Sequence, residues 1–364
     1  MSTPAPRPGI LDIDPYVAGD SDTPGAARII KLSSNECALG PSPKAIAAFR
    51  EAGNHLYRYP DSAATELRAA IAGEYDLDAV KIVCGNGSDE LLTLLAQAYA
   101  GPGDEVLFSE HGFLVYPIIA RFAGAAPVVA PECGLTVDVD ALLDKVTAKT
   151  RIVFVANPGN PTGSYLPVTE IVRLHEGLPG HVLLVLDGAY AEYVTADDYS
   201  PGGDLGSANE NVVMTRTFSK IYGLSGLRLG WCYAPSAAVD VLNRVRGPFN
   251  VSGPAQAAAV AAIADTAHTE KVRAENETWR AWTSRQLSAL GLDVAPSVTN
   301  FVTVRFPGDP AHNAEAANAF LVAEGILPRR IANYGLPDSL RITIGTEAEM
   351  RELAAALSRF MEKP

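Results

Sequence analysis

Cysteine, histidine and basic residues are all scarce in this chain, and each shortage removes a class of function. The four cysteines, Cys37, Cys84, Cys133 and Cys232, lie far apart with no C-x-x-C pair, so neither a disulfide framework nor a zinc ribbon is expected. None of the six histidines has a partner spaced to put two ligands on one helical face, so no metal site is expected either. Lysine and arginine total 29 against 42 acidic residues, and the resulting charge of -13 argues against a surface for nucleic acid or anionic membrane. No stretch of about 18 uninterrupted apolar residues occurs, and the opening MSTPAPRP lacks the apolar core of a signal peptide. The expectation is a cytoplasmic protein that holds any anionic ligand with local arginines.

What is present is an ordinary globular composition, 48% hydrophobic and 20% charged over 364 residues, enough for two domains. Short apolar runs recur at Lys81–Cys84, Glu105–Phe108, Pro127–Ala130, Arg151–Ala156, His181–Leu186, Asn211–Met214 and Leu229–Tyr233. Most are separated by spans long enough for a helix. Their two-sided hydrophobicity predicts a seven-stranded, mostly parallel sheet covered on both faces, an α/β architecture. After about residue 250 the pattern changes to a helix through 270–290, an alternating strand at 300–306, a helix near 314–324, a strand at 340–344 and a closing helix 347–361. This predicts a large domain over 36–255 and a smaller α+β domain over 256–364. Residues 1–35, rich in proline, glycine and aspartate, form an arm that must pack elsewhere, on the small domain or on a second subunit.

Four constellations carry chemistry. The run 81–92, KIVCGNGSDELL, ends a strand in Gly85-Asn86-Gly87 and opens a helix near Ser88, where backbone N–H groups and the helix dipole favour a phosphate. The same run reads equally well as a capped strand-to-helix turn. The run 156–163, ANPGNPTG, follows a strand directly and builds a rigid loop that aims Asn160 from the carboxyl edge of the sheet. In LLVLDGAY, 183–190, Asp187 leaves a nearly all-apolar strand. A carboxylate there is costly unless it meets a partner such as a pyridinium N–H, or unless it caps a helix. Finally, VVMTRTFSK at 212–220 ends in Ser219-Lys220, eight residues before Arg228 in GLRLG. This arrangement suits an amine that bonds a carbonyl cofactor whose phosphate lies alongside, pyridoxal phosphate.

With these residues the chain resembles the fold-type I aminotransferases, and in particular the histidinol-phosphate aminotransferase family. The resemblance runs through DPY at 14–16, SNE at 34–36, YRYPD at 57–61, GSDE at 87–90, HGFLVY at 111–116, NPGNPTG at 157–163 and DGAY at 187–190. It continues through TFSK at 217–220, GLRLG at 226–230, GPFNVS at 247–252, GILPR at 325–329 and LRITIG at 340–345.

The resemblance implies a set of roles. Lys220 would bond the cofactor and then move a proton on the substrate. Asp187 would keep the ring nitrogen protonated, Asn160 and Tyr190 would hydrogen-bond the ring oxygen, and Phe113 would stack on the ring. Gly87, Ser88, Asp89, Ser219 and Arg228 would surround the phosphate, joined by Tyr59 from the neighbouring subunit of a homodimer. Arg341 and Arg329 would bind substrate anions, with Tyr16, Asn35 and Asn160 as further substrate contacts.

Three departures from the family pattern stand out: Cys37-Ala38 after Asn35-Glu36 in place of an early proline, Phe113 for a frequent tyrosine, and Gly188 for a frequent glutamate. None removes a cofactor ligand. The expected reaction is transfer of the amino group of L-histidinol phosphate to 2-oxoglutarate. An aromatic amino acid aminotransferase is the close alternative. A threonine-phosphate decarboxylase or a non-catalytic pyridoxal-phosphate-binding module is more distant.

Overall fold

The structure, a computed structural model, describes residues 4–17, 19 and 28–362. Within the arm, residues 1–3, 18 and 20–27 lie outside the described residues.

All seven apolar runs form strands of one sheet, in the spatial order Ile82–Gly85, Gly230–Tyr233, Val212–Thr217, Leu183–Asp187, Thr150–Ala156, Glu105–Ser109 and Ala126–Ala130. Only Gly230–Tyr233 runs antiparallel to its neighbours; the remaining pairs are parallel. Successive side chains go to opposite faces because the strand period is two. Leu183 and Val185 therefore join the cluster containing Leu91, Leu92 and Leu95 of the helix Ser88–Tyr99, while Leu184 and Leu186 join the cluster containing Ile171 and Leu174 on the other side. Both faces are covered, so the strands can be apolar throughout.

Strand bounds differ from expectation by one to three residues. The largest difference is at Val212–Thr217, which runs on through Thr215, Arg216 and Thr217, polar residues that are nonetheless buried. Their burial is made tolerable by partners elsewhere in the fold, which local hydrophobicity does not show.

A second, antiparallel sheet has the order Asp293–Val294, Phe301–Arg305, Ser339–Thr343, Arg329–Arg330. Helices Thr266–Ala289, Ala314–Ala323 and Glu347–Met361 supply Trp279, Leu321, Leu353 and Phe360 to a core it shares. Thr346 and Glu349 close a reciprocal cap at the start of the last helix. The register sets Arg329 directly opposite Arg341, so both guanidinium groups leave the same face. The end of the arm packs here: Ile30–Lys31 pairs parallel with Ile326–Leu327, and Ile30 and Leu32 are buried in the same core.

Candidate active site

The carboxyl ends of the parallel strands, the face of Arg329 and Arg341, and the arm enclose a cavity of about 260 Å³. Every expected site residue lines it except Gly87 and Tyr59.

Lys220 follows the strand Val212–Thr217 and points into this cavity. Its Nζ donates to the Ser34 carbonyl at 3.3 Å and lies 5.6 Å from the centre of the Tyr190 ring. Burial, aided by the positive charge of Arg341, brings its pKa down to about 8. The amine is therefore neutral in roughly a tenth of molecules at pH 7, far more often than an ordinary lysine, as suits a nucleophile.

Asp187 is the last residue of its strand and is almost fully buried. It caps no helix. Its Oδ2 accepts from the Tyr116 hydroxyl at 2.9 Å and its Oδ1 from Thr215 Oγ1 at 3.3 Å. Burial pushes its pKa up to about 6, against the pull of those two hydrogen bonds. Tyr116 was missed in the sequence reading although it closes the HGFLVY run. Its ring lies flat on Phe154 at 4.9 Å and edge-on to Phe113 at 5.9 Å, so one buried phenol touches both Asp187 and the cavity-lining Phe113. The available signal was its spacing: three residues after Phe113 is the neighbouring position on a helical turn.

Tyr190 and Asn160 line the same cavity as Lys220, and each has its acceptor oxygen engaged. The Tyr190 hydroxyl accepts from Asn35 Nδ2 at 2.8 Å, and Asn160 Oδ1 accepts from Arg341 Nη1 at 2.5 Å. The Tyr190 proton and the Asn160 amide hydrogens are thereby left as donors toward the cavity. Asn35 is itself locked by Thr343, which bonds both its backbone N–H and its side-chain oxygen.

One end of the cavity is shaped for a phosphate. Helix Ser88–Tyr99 begins there, and Gly87 takes φ 83°, a left-handed conformation. A Cβ at Gly87 would stand 2.6 Å from Arg228 Nη2, and one at Gly230 would stand 2.3 Å from the Ser88 nitrogen. Arg228 reaches Ser219 Oγ at 3.3 Å and Asp89 Oδ2 at 3.2 Å. A cation, a hydroxyl and a helix N-terminus meet where only glycine leaves room.

The opposite end carries the two arginines. Arg341 donates to the Ser33 carbonyl at 2.9 Å, while its buried Nε has no partner in the protein. Arg329 donates to the Val17 carbonyl of the arm at 2.6 Å. Tyr16 is about half exposed at the rim, and Tyr59 lies apart, 82% exposed and stacked on Phe249 at 4.5 Å. Among the described residues, no cluster of three or more His, Cys, Asp or Glu could hold a metal ion, and no helix is long and apolar enough to cross a membrane.

The donor set fits pyridoxal phosphate: an amine for its carbonyl, a buried carboxylate for its ring nitrogen, two donors for its ring oxygen and a cationic glycine-framed cradle for its phosphate. Comparison with known proteins agrees. Residues 27–357 match the family model for aminotransferase class I and II. Histidinol-phosphate aminotransferases of Rhodospirillum centenum and Paramagnetospirillum magneticum are 59% and 57% identical, the first over 100% of both chains and the second over 99% of both. The crystal structure of histidinol-phosphate aminotransferase from Sinorhizobium meliloti in complex with pyridoxal-5'-phosphate superposes with a TM-score of 0.90 at 30% identity, covering 99% of this chain and 98% of that one. By sequence and by fold, the chain belongs to the class I and II aminotransferases of fold type I, in the histidinol-phosphate aminotransferase family.

Proposed function

We propose that this enzyme transfers the amino group of L-histidinol phosphate to 2-oxoglutarate with pyridoxal phosphate as cofactor, in histidine biosynthesis. The observation that carries the reading is a part-buried amine, Lys220, lining one cavity with two separate anion-binding ends, Arg228 at one and Arg341 with Arg329 at the other. When bound, pyridoxal phosphate supplies a carbonyl for amine exchange and a ring that withdraws the electron pair left when the substrate loses its α-proton.

The protein's groups do the rest. Lys220 acts first as the nucleophile and then, displaced by the substrate amine, carries the proton away from the substrate α-carbon. Asp187 holds a proton at the ring nitrogen, which its ionised form favours. Tyr190 and Asn160 donate to the ring oxygen, and Phe113 covers the ring face. Ser88, Ser219 and Arg228 hold the cofactor phosphate, with Gly87 and Asp89 shaping the cradle. The planar forks of Arg341 and Arg329 take the phosphate of histidinol phosphate in one half-reaction and the carboxylates of glutamate in the other, which makes the kinetics ping-pong. Tyr16 and Asn35 close the substrate side.

The exposed Tyr59 belongs to the same reading, reaching the cofactor phosphate of a second subunit in a homodimer. So do the division into an arm 1–35, a large domain 36–255 and a small domain 256–364, and a cytoplasmic location. Half-reaction rates with histidinol phosphate, phenylalanine and tyrosine test the substrate. Histidinol phosphate is expected to react faster by orders of magnitude, and a comparable preference for the aromatic amino acids would overturn the assignment.

A further inference from the structure

Beneath the cavity, on the other face of the strand that leads to Lys220, lies an ion pair with no place in the reaction above. Arg216 sits between Thr215, which bonds Asp187, and Thr217, which lines the cavity. Strand alternation turns its side chain away from both. There its Nη2 meets Glu192 Oε1 at 2.7 Å, with each side chain only 4% exposed. The guanidinium lies 4.7 Å from the centre of the Tyr75 ring and 5.7 Å from that of Trp231.

Glu192 is two residues beyond Tyr190, and Tyr222 is two residues beyond Lys220. The Tyr75 hydroxyl joins them, 3.3 Å from Glu192 Oε1 and 2.5 Å from the Tyr222 hydroxyl. A phenol has one proton and a carboxylate has none, so both bonds form only if Tyr222 donates to Tyr75 and Tyr75 donates to Glu192. The turn between Asp187 and Glu192 rests directly on Arg216: a Cβ at Gly188 would stand 3.1 Å from Arg216 Cδ. Arg273 fastens the same turn from the long helix, donating to the Glu192 carbonyl at 2.6 Å.

We infer that Arg216 and Glu192 are positioning residues, a buried clamp that sets the turn bearing Asp187 and Tyr190 against the segment bearing Lys220. The pair is a poor device for stability. Desolvating two charges costs about as much as their attraction returns, and Glu192 Oε2 is left without a partner. What the pair does supply is fixed geometry, because a planar guanidinium resting against the adjacent Tyr75 and Trp231 rings, whose centres are 5.3 Å apart, restricts where the carboxylate can sit. The inference rests on the transaminase reading, and the two fail separately: that reading fails in the parent enzyme, this one only in the variants.

The test replaces both charges together, Arg216→Met with Glu192→Leu, since either change alone strands a buried ion. The melting temperature is expected to stay within a few degrees of the parent's. Cofactor release from the holoenzyme should be faster by about tenfold or more, and kcat should fall similarly, as misplacement of reacting groups predicts. KM for glutamate, set by Arg341 and Arg329, should hardly change. Parental cofactor retention with parental kcat would overturn the inference. If the double variant does not fold, Tyr75→Phe, which removes the hydroxyl that joins Glu192 to Tyr222 and leaves both buried charges in place, is read by the same two measurements. Faster release and lower kcat in that variant support the clamp, and parental values overturn it.

Discussion

Tyr116→Phe removes one oxygen from the protein and leaves its packing on Phe154 and Phe113 in place, so its effect reports on Asp187. The hydroxyl donates to Asp187 Oδ2 at 2.9 Å inside a fully buried site. A hydrogen bond to an ionised group contributes about 1.5–3 kcal/mol. One pKa unit corresponds to about 1.4 kcal/mol, so losing this bond should raise the Asp187 pKa from about 6 by roughly one to two units. Thr215 and the Ala189 backbone N–H stay as donors, while Asp89, Tyr190 and Tyr199 face the same carboxylate. The nearby negative charge of Asp89 works in the same direction as burial, keeping the carboxylate easy to protonate.

The sign of the pH effect follows. Cofactor with a protonated ring nitrogen binds best to ionised Asp187, so affinity is full above the pKa of that carboxyl in the cofactor-free protein and falls below it. In Tyr116→Phe the fall should begin roughly one to two pH units higher. Lys220, at about 8, titrates in a neighbouring window, as do groups on the cofactor itself. These contributions are common to parent and variant, so the ratio of dissociation constants from pH 5 to 9 isolates Asp187. The assay is a titration of cofactor-free protein with pyridoxal phosphate, followed by visible absorption. If the two affinity curves superimpose, the Tyr116 hydrogen bond does not tune the carboxyl and the argument is wrong.

Lys220→Met should stabilise the cofactor-free protein at pH 7 by about 3 kcal/mol, because a buried amine held near 8 instead of 10.5 costs about 1.4 kcal/mol per unit of depression. Burial lowers this pKa, so the parent should gain stability as pH rises from about 8 to 10.5; chemical denaturation should show that gain in the parent and none in the variant. Gly87→Ala must adopt φ 83° and place its Cβ 2.6 Å from Arg228 Nη2. Inorganic phosphate should then compete less well for the cradle and cofactor affinity should drop, while an unchanged phosphate inhibition constant would count against the cradle. Arg341→Ala should raise KM for glutamate by about 10- to 100-fold, the equivalent of one lost charge-assisted bond. A parental KM there would remove Arg341 from the substrate site.

The architecture was legible because its signal is local. Apart from the edge strand Ala126–Ala130, where Val129 is exposed, each apolar run of the large sheet is a strand buried on both faces, and such strands announce themselves without knowledge of their neighbours. The alternation at 300–306 and the helical spans around it were equally plain. What local pattern could not show was the extension of Val212–Thr217 through three polar residues, because Thr215 and Arg216 are paid for by contacts with Asp187 and Glu192, 28 and 24 positions away in the chain. The short hairpin Glu132–Cys133 with Thr136–Val137 was also missed, its strands being too brief to show a period.

The candidate site divides along the same physical line. Lys220, Asp187, Asn160 and Arg228, which the structure brings to one cavity, stand out in the sequence because each breaks its surroundings: a charge or amide at the end of an apolar strand, or beside glycines, is locally expensive and so conspicuous. Tyr116 and Arg216 break nothing that a single sequence displays. A tyrosine on an amphipathic helix reads as core, and Tyr116 is core over its whole ring, with only the hydroxyl turned to Asp187. An arginine between two threonines on a strand reads as an exposed position, yet Arg216 is 3% exposed. Groups that line the candidate site can therefore be located by their local cost, whereas groups packed behind them have their cost met by distant partners. If so, variants of the first kind should lose chemistry in proportion to what they touch. Arg216 and Tyr116 should instead lose it through the geometry or protonation of Asp187 and Lys220, with substrate KM left near its parental value.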